Sequence, residues 1–444
     1  MLVRLLKKPP LLITLSFFLV ILAGSLLLKL PIASEDGIST PYVDCLFTAT
    51  SATCVTGLIV VDTADHWSNF GELVILVMIQ IGGLGFITLA VFFLSFMSKR
   101  KAGLKSIILA QESINSISLQ DTIPLIRQIL ILIFFAEAAG AFLLSLAFVP
   151  EYGLYGVYMG IFHAISAFCN AGFDLMGGFK SLSDYNGNFI VLYTINALIV
   201  IGGLGFIVWK DVLDYRKTKK LLVHTRIVLA MTAVLLVVGT LFIYVLEYSN
   251  GLKSLLGIEK LNGAVFLSVN ARTAGYASIN LNNMQDITKV FVAFLMFIGG
   301  ASGSTAGGIK INTFGIMLTA LVCVVRSDKE TILLGRRIPN PVVLRAFAVT
   351  ALSLSLIFVV MIIISLLNPQ WSLINILFEV VSGFATVGLT TGITPDLDTA
   401  SKLLIALCMF VGRVGPLSFI LTLSRARKED HSSTIYPEGK FIVG

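Results

Sequence analysis

Ser51-Ala52-Thr53-Cys54-Val55-Thr56-Gly57 closes a short apolar stretch, and the chain repeats this ending three more times. The counterparts are Ser166-Ala167-Phe168-Cys169-Asn170-Ala171-Gly172, Val269-Asn270-Ala271-Arg272-Thr273-Ala274-Gly275 and Ser382-Gly383-Phe384-Ala385-Thr386-Val387-Gly388. Each is followed by a long apolar helix with a second mark: Gly82-Gly83, Gly202-Gly203, Gly299-Gly300 and Gly412-Arg413. The separations are 25, 30, 24 and 24 residues. Four near-equal units predict fourfold pseudo-symmetry, and a fourfold axis through a membrane protein is the natural place for an ion pore.

Composition requires the membrane. Mean hydropathy is +0.93. Charged residues make up 13% of the 444, against roughly 25% in a soluble domain. Crossing a hydrocarbon core takes about 20 apolar residues, and eight runs qualify: roughly 11–30, 70–97, 124–149, 188–210, 225–248, 287–325, 341–367 and 400–424. The first stands behind Lys7 and Lys8 and is longer than the apolar core of a cleaved signal, about 7–15 residues, so it reads as a retained span. Between the two runs of each pair lies a shorter stretch, 41–52, 156–168, 261–270 or 372–384. These are too short to span and read as re-entrant half-helices. The fold class is all-α and polytopic, with four span, pore loop, span repeats around one pore. The repeats occupy 11–97, 124–210, 225–325 and 341–424, with a tail at 425–444.

Charge sets the orientation. The N-terminus, the linkers 98–127, 210–226 and 326–345, and the tail carry 23 of the 32 Lys and Arg but 9 of the 25 acids. With eight spans, all five segments share one side. The positive-inside rule makes that side the cytoplasm, with both termini in it. Asp36, Asp44, Asp62, Asp65, Glu72, Glu151, Asp174, Asp184, Glu259, Asp286, Asp396 and Asp398 then fall on the outer face. There they either concentrate cations at the mouth or simply solvate loops. The basic linkers face either a regulatory partner or anionic lipid headgroups.

The repeated motif suits a cation. A dehydrated cation needs substitutes for its water shell, and rings of backbone carbonyls provide them. Aiming consecutive carbonyls at one axis demands unusual backbone angles, which Gly reaches at little steric cost. The partly negative C-terminal end of each half-helix points at the same place. The candidate filter is therefore Thr53, Cys54, Val55, Thr56 and Gly57 with Asn170, Ala171 and Gly172, Thr273, Ala274 and Gly275, and Thr386, Val387 and Gly388. None of the motifs holds a carboxylate, which argues against an acidic ring for divalent ions.

On these motifs the chain resembles the Trk/Ktr/HKT superfamily of potassium transporters, and within it the membrane subunits of bacterial Ktr systems. The most diagnostic segments are Thr53–Gly57, Asn270–Gly275 and Ile298–Gly308, and the likeness runs from Lys7 to about Arg427. In plant relatives a Ser at the first filter position goes with sodium preference. All four positions are Gly here, so the resemblance implies K⁺ as the transported ion, bound at filter carbonyls only. It also implies a homodimer in the bacterial plasma membrane, seated on a cytosolic ring of KtrA-type RCK subunits that bind ATP or ADP, and it leaves room for activation by Na⁺. No nucleotide-binding fingerprint stands in this chain, so nucleotide control would come from a separate polypeptide.

The third repeat departs from the others. Gly299, Gly300, Ala301, Ser302, Gly303, Ser304, Thr305, Ala306, Gly307 and Gly308 interrupt its second span, and five of these ten residues are Gly. Such a run breaks a helix, and at membrane depth it belongs where it lines a cavity. It reads as a gating loop below the filter, with a kinked, closely packed helix as the alternative. Arg413 replaces the second Gly of the fourth pair. It reads either as a positive barrier bonded to loop carbonyls or as half of a buried salt bridge. Arg272, inside the third motif, should point behind the filter, with Glu379 one candidate partner. Lys310 either contacts the loop or snorkels to the surface. Glu137 serves either a proton or sodium step or packs against a polar neighbour.

The function expected is K⁺ uptake through a gated, channel-like pore, with a Na⁺- or H⁺-coupled symporter as the alternative. Paired carboxylates, a Ser/His pair and metal-ligand spacing are missing from the spans, which excludes an enzyme. Nothing suggests nucleic acid.

Overall fold

The computed structural model describes residues 9–85 and 122–423. Repeat 1 comprises α1 (Pro9–Leu28), α2 (Tyr42–Cys54) and α3 (Asn69–Leu84). Repeat 2 comprises α4 (Thr122–Tyr152), α5 (Tyr155–Phe168), α6 (Phe189–Leu204) and α7 (Phe206–Thr218). Repeat 3 comprises α8 (Val223–Glu247), α9 (Ile258–Asn270), α10 (Asp286–Phe297) and α11 (Ile311–Val325). Repeat 4 comprises α12 (Asn340–Leu367), α13 (Leu373–Ala385), α14 (Thr399–Val414) and α15 (Pro416–Leu423). A small hairpin, β1 (Ile332–Leu333) with β2 (Arg336–Arg337), joins repeats 3 and 4. Most of the 98–127 linker and all of the 425–444 tail lie outside the described residues.

The first helix of every repeat is long and apolar enough to cross a membrane. These helices turn Phe135, Val245 and Leu366 outward, as a lipid-facing surface requires. The protein is a multi-pass membrane protein. The half-helices α2, α5, α9 and α13 have 13, 14, 13 and 13 residues, so the short stretches in the sequence are indeed too short to span. Caps set where the second helices begin. Ser68, Asn188 and Asp398 each accept from backbone N–H groups in the first turn of α3, α6 and α14. These bonds satisfy donors that a helix start leaves orphaned. In repeat 3, where Gln285 provides no side-chain cap, the buried Glu247 carboxylate accepts from the Gln285 N–H at 3.0 Å.

The repeats close into a ring. The second helix of each repeat packs on the half-helix of the next: α3 on α5, α6 on α9, α10 on α13, and α14 back on α2. Small residues allow this depth of packing within each repeat. A Cβ placed on Gly82, Gly202 or Gly412 would come inside 3.0 Å of the Thr53, Phe168 or Phe384 carbonyl oxygen. Each of these carbonyls lies four residues before the last Gly of its motif, at the C-terminal end of a half-helix. In repeat 3 the pattern shifts, and Gly299 is pressed on the carbonyl of Gly307 in its own loop.

One expectation from the sequence fails. The runs 188–210 and 400–424 are not continuous spans. Helix α6 stops at Gly205 (φ +90°), and α7 leaves at 94° to it. Helix α14 stops at Gly415 (φ +93°), and α3 at Gly85 (φ +78°), beyond which 86–97 lies outside the described residues. A Gly at positive φ ends a helix without Cβ strain. Apolar residues on both sides hid these breaks from hydropathy. The legible signal was the third Gly of Gly82-Gly83-Leu84-Gly85 and Gly202-Gly203-Leu204-Gly205, matched by Gly415. Among the described residues the second helices of repeats 1, 2 and 4 thus end at matching Gly positions, and repeat 3 uses a whole loop instead.

Gly412→Ala should destabilise the protein by about 1–3 kcal/mol or more, because backbone must move to admit the methyl. Gly315→Ala, whose Cβ would meet only Ile227 Cγ2 at 3.6 Å, should be neutral or stabilising. Thermal unfolding of both variants in detergent checks the pair.

Candidate functional site

The four half-helix ends meet in a ring of backbone. A Cβ on Gly57 would strike the Ala171 carbonyl oxygen and lie 3.2 Å from the Gly172 Cα. One on Gly172 would strike the Ala274 oxygen, with the Gly275 Cα at 3.0 Å. One on Gly275 would strike the Val387 oxygen, with the Gly388 Cα at 3.1 Å. One on Gly388 would strike the Thr56 oxygen, with the Gly57 Cα at 3.0 Å. The order 57, 172, 275, 388 and back to 57 is a closed fourfold cycle. Each carbonyl in it belongs to the residue before a ring Gly.

The backbone around the ring alternates in hand. Gly57, Gly172, Gly275 and Gly388 have φ of +90°, +72°, +83° and +95°. Two residues before each, Val55, Asn170, Thr273 and Thr386 have φ of +59°, +61°, +71° and +51°. Left-handed backbone is uncommon for non-Gly residues and for a β-branched residue a true outlier, so three of these four positions are held by their surroundings. The holding bonds are visible. The N–H groups of Thr56, Ala171 and Val387 donate to the Ser51, Ser166 and Ser382 carbonyls at 2.8, 2.7 and 2.9 Å. The Gly57 and Gly388 N–H groups donate to the Ser51 and Ser382 hydroxyls at 3.1 and 3.0 Å. In repeat 2 the Ser166 hydroxyl donates to the Phe173 carbonyl. In repeat 3, where Val269 stands at the Ser position, Asn270 accepts from the Ala274 and Tyr276 N–H groups instead. These braces were not assigned from the sequence, although a Ser six residues before the ring Gly opens three of the four motifs.

Donors are therefore drawn back into the half-helices. Among the described residues, no backbone donor bonds the ring carbonyls of Thr56, Ala171, Ala274 and Val387. The Thr53, Thr56 and Thr386 hydroxyls are buried without a partner. Buried carbonyls ordinarily find partners, and such a ring of free oxygens is suited to a cation in transit. Helix ends add to it. Each half-helix C-terminus is equivalent to about −0.5 charge, so four converging ends supply about −2.

Directly beneath the ring lies the segment 299–308. Its base is closed by the Gly299 N–H on the Ile309 carbonyl (2.9 Å) and the Ile311 N–H on the Gly300 carbonyl (3.0 Å). Its flanks hang on the broken end of α6. The Ala301 and Thr305 N–H groups donate to the Gly203 and Gly202 carbonyls, and the Phe206 N–H donates to Gly303. Gly307 and Gly308 lie against Thr386 and Ala385 of the fourth repeat. Ser304 bonds back to the Ala301 carbonyl. Ser302 and Ala306 complete the segment, which runs beneath the ring from repeat 2 to repeat 4.

Arg413 joins this segment to the end of α3. Its Nη1 donates to the Thr305 carbonyl, and Nη2 donates to the Gly82 and Gly83 carbonyls at 2.5 and 3.5 Å. Gly82 and Gly83 are in the last turn of α3, at its C-terminal end. Lys310 Nζ donates to the adjacent loop carbonyl, Ala306, at 2.5 Å. Neither cation pairs with a carboxylate among the described residues, so the salt-bridge alternative for Arg413 is not what forms.

Other expected partners sort differently. Glu379 accepts from Thr390, Thr391 and Thr394, bracing the turn after Gly388. Arg272 is buried with its Nε unpartnered, and no ion pair joins it to Glu379. Glu137 takes both oxygens to Gln80 Nε2 at 3.1 and 3.3 Å, which is the polar-neighbour outcome. The outer acids are largely structural. Asp62 and Asp65 accept from the Phe179 and Gly178 N–H groups, Asp44 faces Lys402 at 3.4 Å, and Asp398 caps α14.

A fourfold ring of half-helix ends around free carbonyls suits a membrane protein that handles cations. The TrkH family model, described as cation transport protein, matches residues 11–435. The chain belongs to this family. Ktr system potassium uptake protein B of Bacillus subtilis (strain 168) is 41% identical, over 98% of this chain and 97% of its own. Potassium/sodium uptake protein NtpJ of Enterococcus hirae is 41% identical over the same shares, 98% and 97%. Among solved structures, the potassium transporter TrkH of Vibrio parahaemolyticus superposes with a TM-score of 0.73 at 18% identity, covering 94% of this chain and 84% of that one. That likeness supports the fold.

Two outcomes follow for the ring. Gly57→Ser places a Cβ against the Ala171 oxygen at a φ only Gly adopts freely. It should cost about tenfold or more in cation transport or discrimination, since such strain is worth about 1–3 kcal/mol. Tracer uptake with competing cations measures it. Asp174, two residues past Gly172, is half-buried at the mouth. Burial pushes its carboxyl up to about 6, Asp62 adds to the rise, and the Met176 N–H and Ser181 hydroxyl oppose it. It is ionised above about pH 6 and neutral below, so this position loses negative charge as the pH on its side falls. Half-saturation for the cation should rise about fivefold between pH 7.5 and 5.5, from roughly 1 kcal/mol of lost attraction. Asp174→Asn should flatten that dependence.

Proposed function

We propose that this protein takes up K⁺ through a gated, channel-like pore in the plasma membrane. The observation that carries this reading is the closed cycle of four glycines with unpartnered carbonyls. The names of the Bacillus and Enterococcus relatives, a potassium and a potassium/sodium uptake protein, supply the ion. Fourfold carbonyl coordination replaces hydration without a fixed carboxylate that would hold the ion too tightly. Thr53–Gly57, Asn170–Gly172, Thr273–Gly275 and Thr386–Gly388 form the filter.

The gate is 299–308 together with Arg413. An Arg is charged at every physiological pH. Held under the filter, its charge opposes the attraction of the helix ends for a cation leaving inward. The bonds of Arg413 and Lys310 to neighbouring loop carbonyls keep the loop seated. Opening requires those bonds and the loop's bonds to the end of α6 to be exchanged for water. A cytosolic nucleotide-binding RCK ring, docked on a homodimer of this chain with both termini in the cytoplasm, supplies the force. The Ktr names of the relatives support a multi-subunit system. A pore is favoured over a coupled symporter because the intramembrane Glu137 is committed to Gln80.

Growth rescue and ⁸⁶Rb⁺ uptake in a potassium-uptake-deficient bacterium, with and without an RCK partner, test the reading. Wild type should rescue K⁺-dependently. Deleting Ala301–Gly307 should raise flux several-fold, because the paired base at Gly299 and Ile309 leaves the flanking helices in register. Arg413→Ala should raise it in the same direction. A well-expressed, partner-supplied wild type without cation uptake would overturn the pore.

A further inference from the structure

The loop and the filter share side-chain hydrogen bonds, and we infer that Thr305 is a positioning residue that makes ion discrimination depend on whether the loop is seated. This rests on the reading of 299–308 as the gate. The Thr305 Oγ1 lies 3.0 Å from Asn170 Oδ1 and 3.3 Å from the Phe168 carbonyl oxygen. The Asn170 Nδ2 in turn donates to Thr273 Oγ1 at 3.4 Å. All three side chains are buried, each at 1% exposure or less.

Asn170 and Thr273 are the left-handed residues of the second and third filter segments. Their φ values are +61° and +71°. A left-handed Asn is tolerated when its amide bonds locally. Here the amide bonds to the gate on one side and to the next filter segment on the other. Gly202 seals the cluster, since a Cβ there would sit 2.8 Å from Asn170 Oδ1 and 2.9 Å from Thr305 Oγ1. Water therefore has no room to replace the Thr305 hydroxyl while the loop is in place. Across the ring, Gly307 bears on Thr386, the left-handed residue of the fourth segment. Repeats 2 and 4 are opposite in the cycle, so the loop touches the filter on one diagonal.

When the loop leaves, Asn170 loses its partner and Thr386 loses its support. The backbone at both positions can then relax, and the Ala171 and Val387 carbonyls, each the next residue, move with it. Discrimination between K⁺ and Na⁺ is a property of the number and placement of those oxygens. The seated loop thus holds the filter in its selective form. Val55, the fourth left-handed residue, makes no hydrogen bond to the loop among the described residues.

The test is Thr305→Val, which keeps the shape and removes the hydroxyl, beside Thr305→Ser, which restores it, and the Ala301–Gly307 deletion. Each is expressed with the regulatory partner, checked for monodisperse elution, and assayed for ⁸⁶Rb⁺ uptake with Na⁺ as competitor. Thr305→Val should weaken discrimination against Na⁺ by about 2- to 10-fold, the worth of one hydrogen bond, and Thr305→Ser should retain it. The deletion should raise flux and discriminate least. If Val does not fold, Thr305→Ala takes its place. Wild-type discrimination in Thr305→Val, with flux raised by the deletion, would overturn the coupling and leave the gate intact. A deletion that folds but does not raise flux would overturn the gate and the coupling with it.

Discussion

Backbone meeting backbone around one axis is the constraint on which the rest of this structure depends. Four glycines stand so close that a single methyl on any of them would strike its neighbour's carbonyl. That closeness puts four carbonyl oxygens in one layer and leaves no space for side chains there. It also determines what surrounds the ring. Hydroxyls of Ser51 and Ser382 accept from the N–H groups of Gly57 and Gly388, and the amide oxygen of Asn270 accepts from that of Tyr276, next to Gly275. A second set of glycines, Gly82, Gly202 and Gly412, admits the half-helix ends to the same depth.

The breaks in the second helices follow from the same geometry. A continuous helix past Gly85, Gly205 or Gly415 would keep its carbonyls for itself. Stopping there releases them beneath the ring. The end of α3 offers two to Arg413, and the end of α6 offers two to the loop. Polar groups at membrane depth are costly unless paired, so the loop and the Arg are stable where they lie because those ends are open. Loop, Arg and helix ends form one hydrogen-bonded plug built largely from backbone.

Charge is arranged along the axis to match. The half-helix ends contribute partial negative charge at the ring, and Arg413 sets a full positive charge below it. At the outer side the carboxylates are mostly engaged in loops and caps. Asp174, two residues past Gly172, has its carboxyl pushed up to about 6 by burial, so the charge beside the ring changes with pH.

The four repeats, the half-helices and the ring glycines were legible in the sequence because each leaves a local mark: a run of apolar residues, its length, and a Gly at constant spacing. The interruption at 299–308 was legible for the same reason. The breaks at Gly205 and Gly415 were not, because a lone Gly in an apolar run looks alike whether the helix continues or stops. Nor were the partners. A bond from Arg413 to a loop carbonyl was expected, but Arg413 with Gly82, Thr305 with Asn170, and Glu379 with its threonines lie 11 to 331 positions apart. The sequence by itself determined the elements, because hydropathy and backbone freedom are properties of neighbouring residues. Only the tertiary structure decided which carbonyls are left without backbone donors and which helix ends hold the loop, because those pairings exist only once the ring has closed.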